Sequence, residues 1–136
     1  MEMVTQSLGG LPSFLLYFAL GVAAFAAFFV IYGAVTPYDE LALIREGNVA
    51  AAVSLGGAVL GFMLPLASAI AHSVSPIDMV VWSVIALLVQ AIVYFLVARL
   101  VPHFAEAIRA GRVAGATLLS VLSVATGILN AACMTY

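Results

Sequence analysis

The chain has 136 residues, 66% of them hydrophobic and 7% charged, with a formal net charge of −2. A soluble domain draws about a quarter of its residues from Asp, Glu, Lys and Arg, so the four basic and six acidic residues here cannot clothe a water-facing surface. Lysine is absent, and the net charge is too small and too dispersed to suggest a nucleic-acid partner.

Lipid is the solvent that remains. A helix needs roughly 20 mostly apolar residues to cross a bilayer core. Four such runs are present: Phe14–Val35, Val49–Ala71, Met79–Val97 and Val113–Met134. They are continuously apolar rather than alternating, which favours helices over barrel strands. The opening MEMVTQSLGG holds Glu2 and no basic residue. It therefore lacks the n-region of a secretory signal, and the first run reads as a retained span. A single cysteine, Cys133, leaves no internal disulfide to form.

In chain order, Met1 to Pro12 is a short tail broken at Gly9-Gly10. The first span carries Phe14, Phe18, Phe25, Phe28 and Phe29 with Tyr17 and Tyr32, read as apolar bulk with tyrosines near the interfaces. Thr36-Pro37-Tyr38-Asp39 predicts a helix start, with Thr36 as N-cap, Pro37 at the first position and Asp39 reaching back. The short helix that follows is expected to lie on the membrane surface, Leu41 and Ile44 inward. Its acids, Asp39, Glu40 and Glu46, read as a solvated face. Gly47 suits a left-handed C′ position, and Asn48 can cap the next helix.

The second span holds Gly57-x-x-x-Gly61, with Ala50, Ser54 and Ala58 at four-residue steps, a pattern that lets helix backbones approach closely. Pro65 has no N–H to give the Gly61 carbonyl and predicts a bend. After the His72–Asp78 connection, the third span places Ser83, Gln90 and Tyr94 on one stripe, with Gln90 near the bilayer centre. A polar side chain at that depth faces protein or water; interhelical hydrogen bonding is the preferred reading and a pathway lining the other. The segment LVPHFAEAIRAGR is again amphipathic, with Glu106 and Arg109 spaced for a helix-face ion pair. The last span carries Ala116, Ser120, Ser123, Gly127 and Asn130 at three- and four-residue steps and runs out at Thr135-Tyr136.

Aligning Gly47 with Gly111 gives a shift of 111 − 47 = 64 residues, which also pairs Pro12 with Pro76, Ile44 with Ile108 and Arg45 with Arg109. Each unit holds two spans, so both copies insert the same way up, as in parallel repeats. All four arginines (Arg45, Arg99, Arg109 and Arg112) follow spans one and three. By the positive-inside rule those bends are cytoplasmic and both termini are periplasmic or exterior. Asp39, Glu40, Arg45, Asn48, Arg109 and Arg112 form the candidate cytoplasmic corner. His72 and His103 fall on opposite sides of the membrane, so they cannot share a metal.

The residues Tyr38-Asp39-Glu40, Gly47-Asn48-Val49-Ala50-Ala51-Ala52, Gly61 with Pro65, and Gly127 through Thr135 together resemble the bacterial inner-membrane family called domain of unknown function 350. The second unit departs from the pattern in having Arg112 where an asparagine would match Asn48. The resemblance implies a multi-pass membrane protein without an assigned activity, associated with a stress or polyamine-linked membrane assembly. It brings no catalytic residues.

The expected architecture is thus an all-α membrane protein of one domain spanning 1–136: four transmembrane helices as two parallel two-helix repeats, about 12–72 and about 76–136, each with a short cytoplasmic amphipathic helix. No enzyme activity, cofactor or metal is expected. The expected role is a subunit that contacts the lipid bilayer and a cytoplasmic protein, and that forms a homo-oligomer through the small-residue faces of Gly57, Gly61, Ser120, Ser123 and Gly127. The alternative is an oligomeric ion or small-solute channel lined by Gln90, Ser120, Ser123 and Asn130, with Tyr94 beside them.

Overall fold

The computed structural model describes residues 1–134. Its elements are α1 (Glu2–Leu8), α2 (Leu11–Val35), α3 (Glu40–Arg45), α4 (Val49–His72), α5 (Pro76–Leu100), α6 (Phe104–Arg109) and α7 (Val113–Cys133), with no strand among the described residues. Helices α2, α4, α5 and α7 are long and apolar enough to cross a membrane. The expected tail is itself helical: α1 meets α2 across Gly9 and Gly10, both in right-handed conformations. Thr135 and Tyr136, read above as the end of the chain, lie outside the described residues.

The centre of the fold is the α4/α7 pair. Lipid offers no hydrophobic drive between helices, so close backbone approach and dispersion must hold them together. The small residues supply that approach. A Cβ on Gly57 would run into the Cα of Ser120, one on Gly61 into the Ser123 carbonyl, and one on Gly127 into the backbone of Gly61. Further along, the Ser68 hydroxyl donates to the Ala131 carbonyl at 3.2 Å, so the two helices run parallel. These are the faces expected to join neighbouring chains. They close on each other within one chain instead, because a stripe of glycine and serine fits best against a second such stripe, and the chain carries both.

Pro65 sits inside α4, buried, without ending the helix. The carbonyl deprived of its N–H partner is that of Gly61, and the Gly127 backbone lies directly over it. A Cα–H contact of this kind covers an otherwise bare acceptor in a low-dielectric setting.

The two bends end alike but begin differently, Asp39 capping α3 with its side chain and His103 opening α6 at φ 54° without a cap. Pro37 forces the residue before it out of helical geometry, and Thr36 accordingly ends α2 with ψ 137°. Thr36 is therefore a C-cap rather than an N-cap, and Asp39 caps α3, its carboxylate accepting from the Ala42 N–H at 3.2 Å. At the other end of α3, Gly47 adopts φ 87°, the Gly47 N–H donates to Ile44 O (2.9 Å) and the Asn48 N–H to Leu43 O (2.9 Å). Helix α6 closes the same way: Gly111 has φ 79°, donating to Ile108 O (3.0 Å), and the Arg112 N–H donates to Ala107 O (2.9 Å). Both are Schellman endings, in which a glycine takes the left-handed position that a Cβ disfavours.

Helix α3 packs Leu43 and Ile44 against the core and also turns one of its acids inward. Glu40, expected on a solvated face, is buried, while Leu41 is exposed at the surface of the bundle. With the start moved from Pro37 to Glu40, the first helical residue rather than the second points at the bundle.

Candidate site at the α2–α3 bend

The end of the bundle carrying α3 and α6 gathers most of the buried aromatic rings. Helix α2 brings Phe28 and Tyr32, one turn apart and stacked at 5.2 Å. Phe28 also stacks on Phe62 of α4, with centroids 4.5 Å apart and planes 9° from parallel. Tyr32 meets the edge of Tyr94 from α5 at 6.0 Å, and Tyr94 meets Phe104 of α6 at 6.0 Å. Tyr38, in the linker after α2, lies 6.4 Å from Tyr94. Offset and edge-on pairs of this kind each add about 0.5–1.5 kcal/mol beyond ordinary contact. The Tyr32 and Tyr38 hydroxyls are buried without a well-formed hydrogen bond, although that of Tyr38 stands beside Tyr94.

Against this cluster lies Glu40, 7% exposed. A buried carboxylate loses its hydration, so the neutral form is favoured. Burial accordingly pushes the Glu40 carboxyl up to about 7; the nearby Thr36 hydroxyl opposes the shift and the Asp39 charge adds to it. Burial also drives the Tyr38 phenol far above its ordinary range, with Tyr94 and Glu40 contributing in the same sense. Beside these groups opens a cavity of about 360 Å³ lined by Phe29, Thr36, Pro37, Tyr38, Asp39 and Glu40.

Two links tie this end together. Asn48 caps α4, its Oδ1 accepting from the Ala51 N–H at 2.9 Å, and its Nδ2 donates to Ile108 O at 2.7 Å and Arg109 O at 3.3 Å. In the other direction, Arg109 Nη2 donates to Pro37 O at 2.7 Å. The ion pair expected between Glu106 and Arg109 is replaced: Arg109 is drawn to that carbonyl, and Glu106 lies 3.6 Å from His103 Nδ1, both exposed. The side chains of Arg45, Arg99 and Arg112 make no hydrogen bond or ion pair among the described residues. Arg112 stands at the N-cap of α7 without a side-chain cap.

The expected corner residues therefore divide. Asp39, Asn48 and Arg109 bond backbone groups, Glu40 is buried rather than solvated, and Arg45 and Arg112 are exposed. Gln90 is fully buried between α5 and α7, its Nε2 donating to Ser123 O at 3.1 Å, while Gln90 Oε1 and Ser123 Oγ lack partners. Tyr94 belongs to the aromatic cluster one turn away, and Asn130 is half-buried toward the opposite end. Gln90 and Ser123 close on each other because an unpaired amide in hydrocarbon costs more than an imperfect bond to a backbone carbonyl. The described residues hold no group of three metal-ligating side chains.

Sequence reasoning passed over Tyr32, Tyr38, Phe28, Phe62 and Phe104 as a set. The signal was in the 64-residue shift, which carries position 40 onto position 104 (104 − 40 = 64), an aromatic that is 3% exposed.

A family model described as Domain of Unknown Function (DUF350) matches residues 6–134. The chain belongs to this family. It is 38% identical over 129 residues to the UPF0719 inner membrane protein YjfL of Escherichia coli (strain K12), covering 95% of this chain and 98% of the relative. It is 30% identical over 88 residues to the UPF0719 transmembrane protein YshE of Bacillus subtilis (strain 168), covering 65% of this chain and 66% of the relative. Neither printed name carries an enzymatic activity. No solved structure matches. The family names and the four apolar helices agree on an inner-membrane protein.

Proposed function

We propose that this DUF350 chain is a non-catalytic, homo-oligomeric subunit of the bacterial inner membrane. The carrying observation is the first span: in its most apolar window only 6% of residues are buried within the chain, against 56% for α4. Its apolar surface includes Phe14 and Phe18, stacked at 5.6 Å, and an open cleft of about 350 Å³ against Met63, Leu66 and Ile70. In this reading the contact between copies moves from the glycine faces, which are occupied, to α2. Gln90 and Ser123, both fully buried, meet inside the chain, which supports an assembling subunit over a channel.

The reading extends to the repeat and the orientation. The chain is two copies of one helix–bend–helix unit, a view supported by α3 and α6 having equal length and starting 104 − 40 = 64 positions apart. Both bends face the cytoplasm, where they dock a protein of a membrane-associated stress or polyamine-linked assembly, and both termini face outward. The arginine distribution supports this orientation.

Mass measurement in lipid nanodiscs, with a cysteine pair scan along α2, tests the proposal. Multimers cross-linked through positions near Phe18 and Val22 are expected. A monomer at every lipid ratio overturns the oligomer, and a C-terminal reporter found in the cytoplasm overturns the orientation.

A further inference from the structure

We propose that the cavity at the α2–α3 bend binds a primary ammonium group, with the Glu40 carboxylate as counter-ion and the Tyr38 and Phe29 rings as walls. The cavity is bounded by two carboxylates, one of them nine-tenths buried, and no basic side chain lines it. Glu40 has no ion-pair partner among the described residues, only the neighbouring Thr36 hydroxyl, and Tyr38, 5% exposed, has its hydroxyl beside Tyr94 without a well-formed hydrogen bond. The ionised form of a carboxyl in such surroundings is costly unless something of opposite charge meets it. A cation does so, and an aromatic wall adds attraction through the ring face.

The lining argues for an organic cation over a metal ion. Hard metal ions require several oxygen ligands at short range, and the described residues hold no cluster of three ligating side chains. A volume of about 360 Å³ is that of a small-molecule pocket and far exceeds a bare ion. The Arg109 guanidinium is held on the carbonyl of Pro37, a lining residue, and is not itself part of the lining. A primary ammonium is favoured over a quaternary one because the carboxylate and the Thr36 hydroxyl accept hydrogen bonds that only an N–H group can give. The cavity opens where the first span ends, so the ammonium of a lipid headgroup and that of a dissolved amine can both reach it.

The full chain in phosphatidylcholine nanodiscs is titrated with ethylammonium by calorimetry, with tetramethylammonium and sodium as comparison ions. Saturable ethylammonium binding is expected, weakened about tenfold or more in Glu40→Gln and unchanged in Glu46→Gln. The wild-type chain alone supplies a second reading: affinity rises as pH is raised through about 7, where the Glu40 carboxyl ionises. In a second arm, native mass spectrometry compares retained phosphatidylethanolamine with phosphatidylcholine. Selective retention that Glu40→Gln abolishes identifies the headgroup as the source; calorimetric binding without it identifies a free amine. Absence of binding in both arms, equal binding of tetramethylammonium or sodium, or indifference to both pH and Glu40→Gln overturns the site.

Discussion

Asn48 joins the two bends of the protein: its amide nitrogen holds the Ile108 carbonyl at 2.7 Å while its amide oxygen caps α4 through Ala51. One side chain thus ends one helix and begins another, 60 positions away in sequence. The position 64 residues on is Arg112, which makes neither bond.

That dual role separates two substitutions. Asn48→Asp keeps the capping oxygen and loses the donors to Ile108 and Arg109, whereas Asn48→Ala loses both. A lost cap costs about 1 kcal/mol and a lost hydrogen bond a similar amount. Asn48→Ala is expected to be the more destabilising of the two in thermal melts in detergent. Equal loss in both variants would show that the cross-bend bond contributes alone.

The α4/α7 contact makes a sharp positional prediction. Gly57→Ala drives a methyl into the Ser120 backbone, while neighbouring Gly56 has nothing within 4 Å of the same added atom. Overpacking of this kind costs typically 1–3 kcal/mol. Gly57→Ala should lower the melting temperature clearly, and Gly56→Ala should leave it level or raise it through better helix propensity.

Stability should depend on pH through Glu40. Its carboxyl is raised in the fold to about 7 from an ordinary value of 4.5. A raised pKa means that the folded chain holds the proton more tightly than the unfolded one. The stabilisation is fully present below about 4.5 and is lost as pH rises through about 7. Between those limits the loss is of order 1–3 kcal/mol. Melts from pH 5 to 8 should show the decline in the wild type and a flatter profile in Glu40→Gln.

Gln90→Leu distinguishes packing from passage. The variant removes the bond to the Ser123 carbonyl and also removes an amide oxygen that has no partner. Such interhelical bonds average about 0.6 kcal/mol in a measured membrane protein, so the melting temperature should change little. Any solute flux in reconstituted vesicles should be unaffected; its abolition would restore a polar pathway through the bundle.

Much of this fold is legible in composition and spacing. Four apolar runs, a glycine at position 47 needing positive φ and an asparagine suited to capping are local features, and each is where the letters place it. What the sequence could not settle was partnership. Gly57 and Gly61 advertise a close approach, yet nothing local says whether Ser120 and Ser123 come from the same chain or the next. The start of α3 was misjudged because Thr36 can cap a helix as readily as Asp39, and the constraint that Pro37 places on the residue before it decided between them. The burial of Glu40 followed from that displacement, since a shift of the helix start turns each side chain through a fraction of a revolution. A charged letter in a short linker reads as solvated unless its counterpart is consulted, and here the counterpart is Phe104.

The parallel seating of α4 on α7 also bears on synthesis. The second span emerges from the ribosome with its glycine groove complete, but residues 120–127, which fill that groove, follow only after α5 and α6 have been made. Nascent chains therefore enter the bilayer with their best helix-binding surface vacant, open to whichever neighbour reaches it first. Premature termination before the last span would leave that vacancy permanent and give membrane quality-control proteases a feature by which to tell unfinished chains from finished ones.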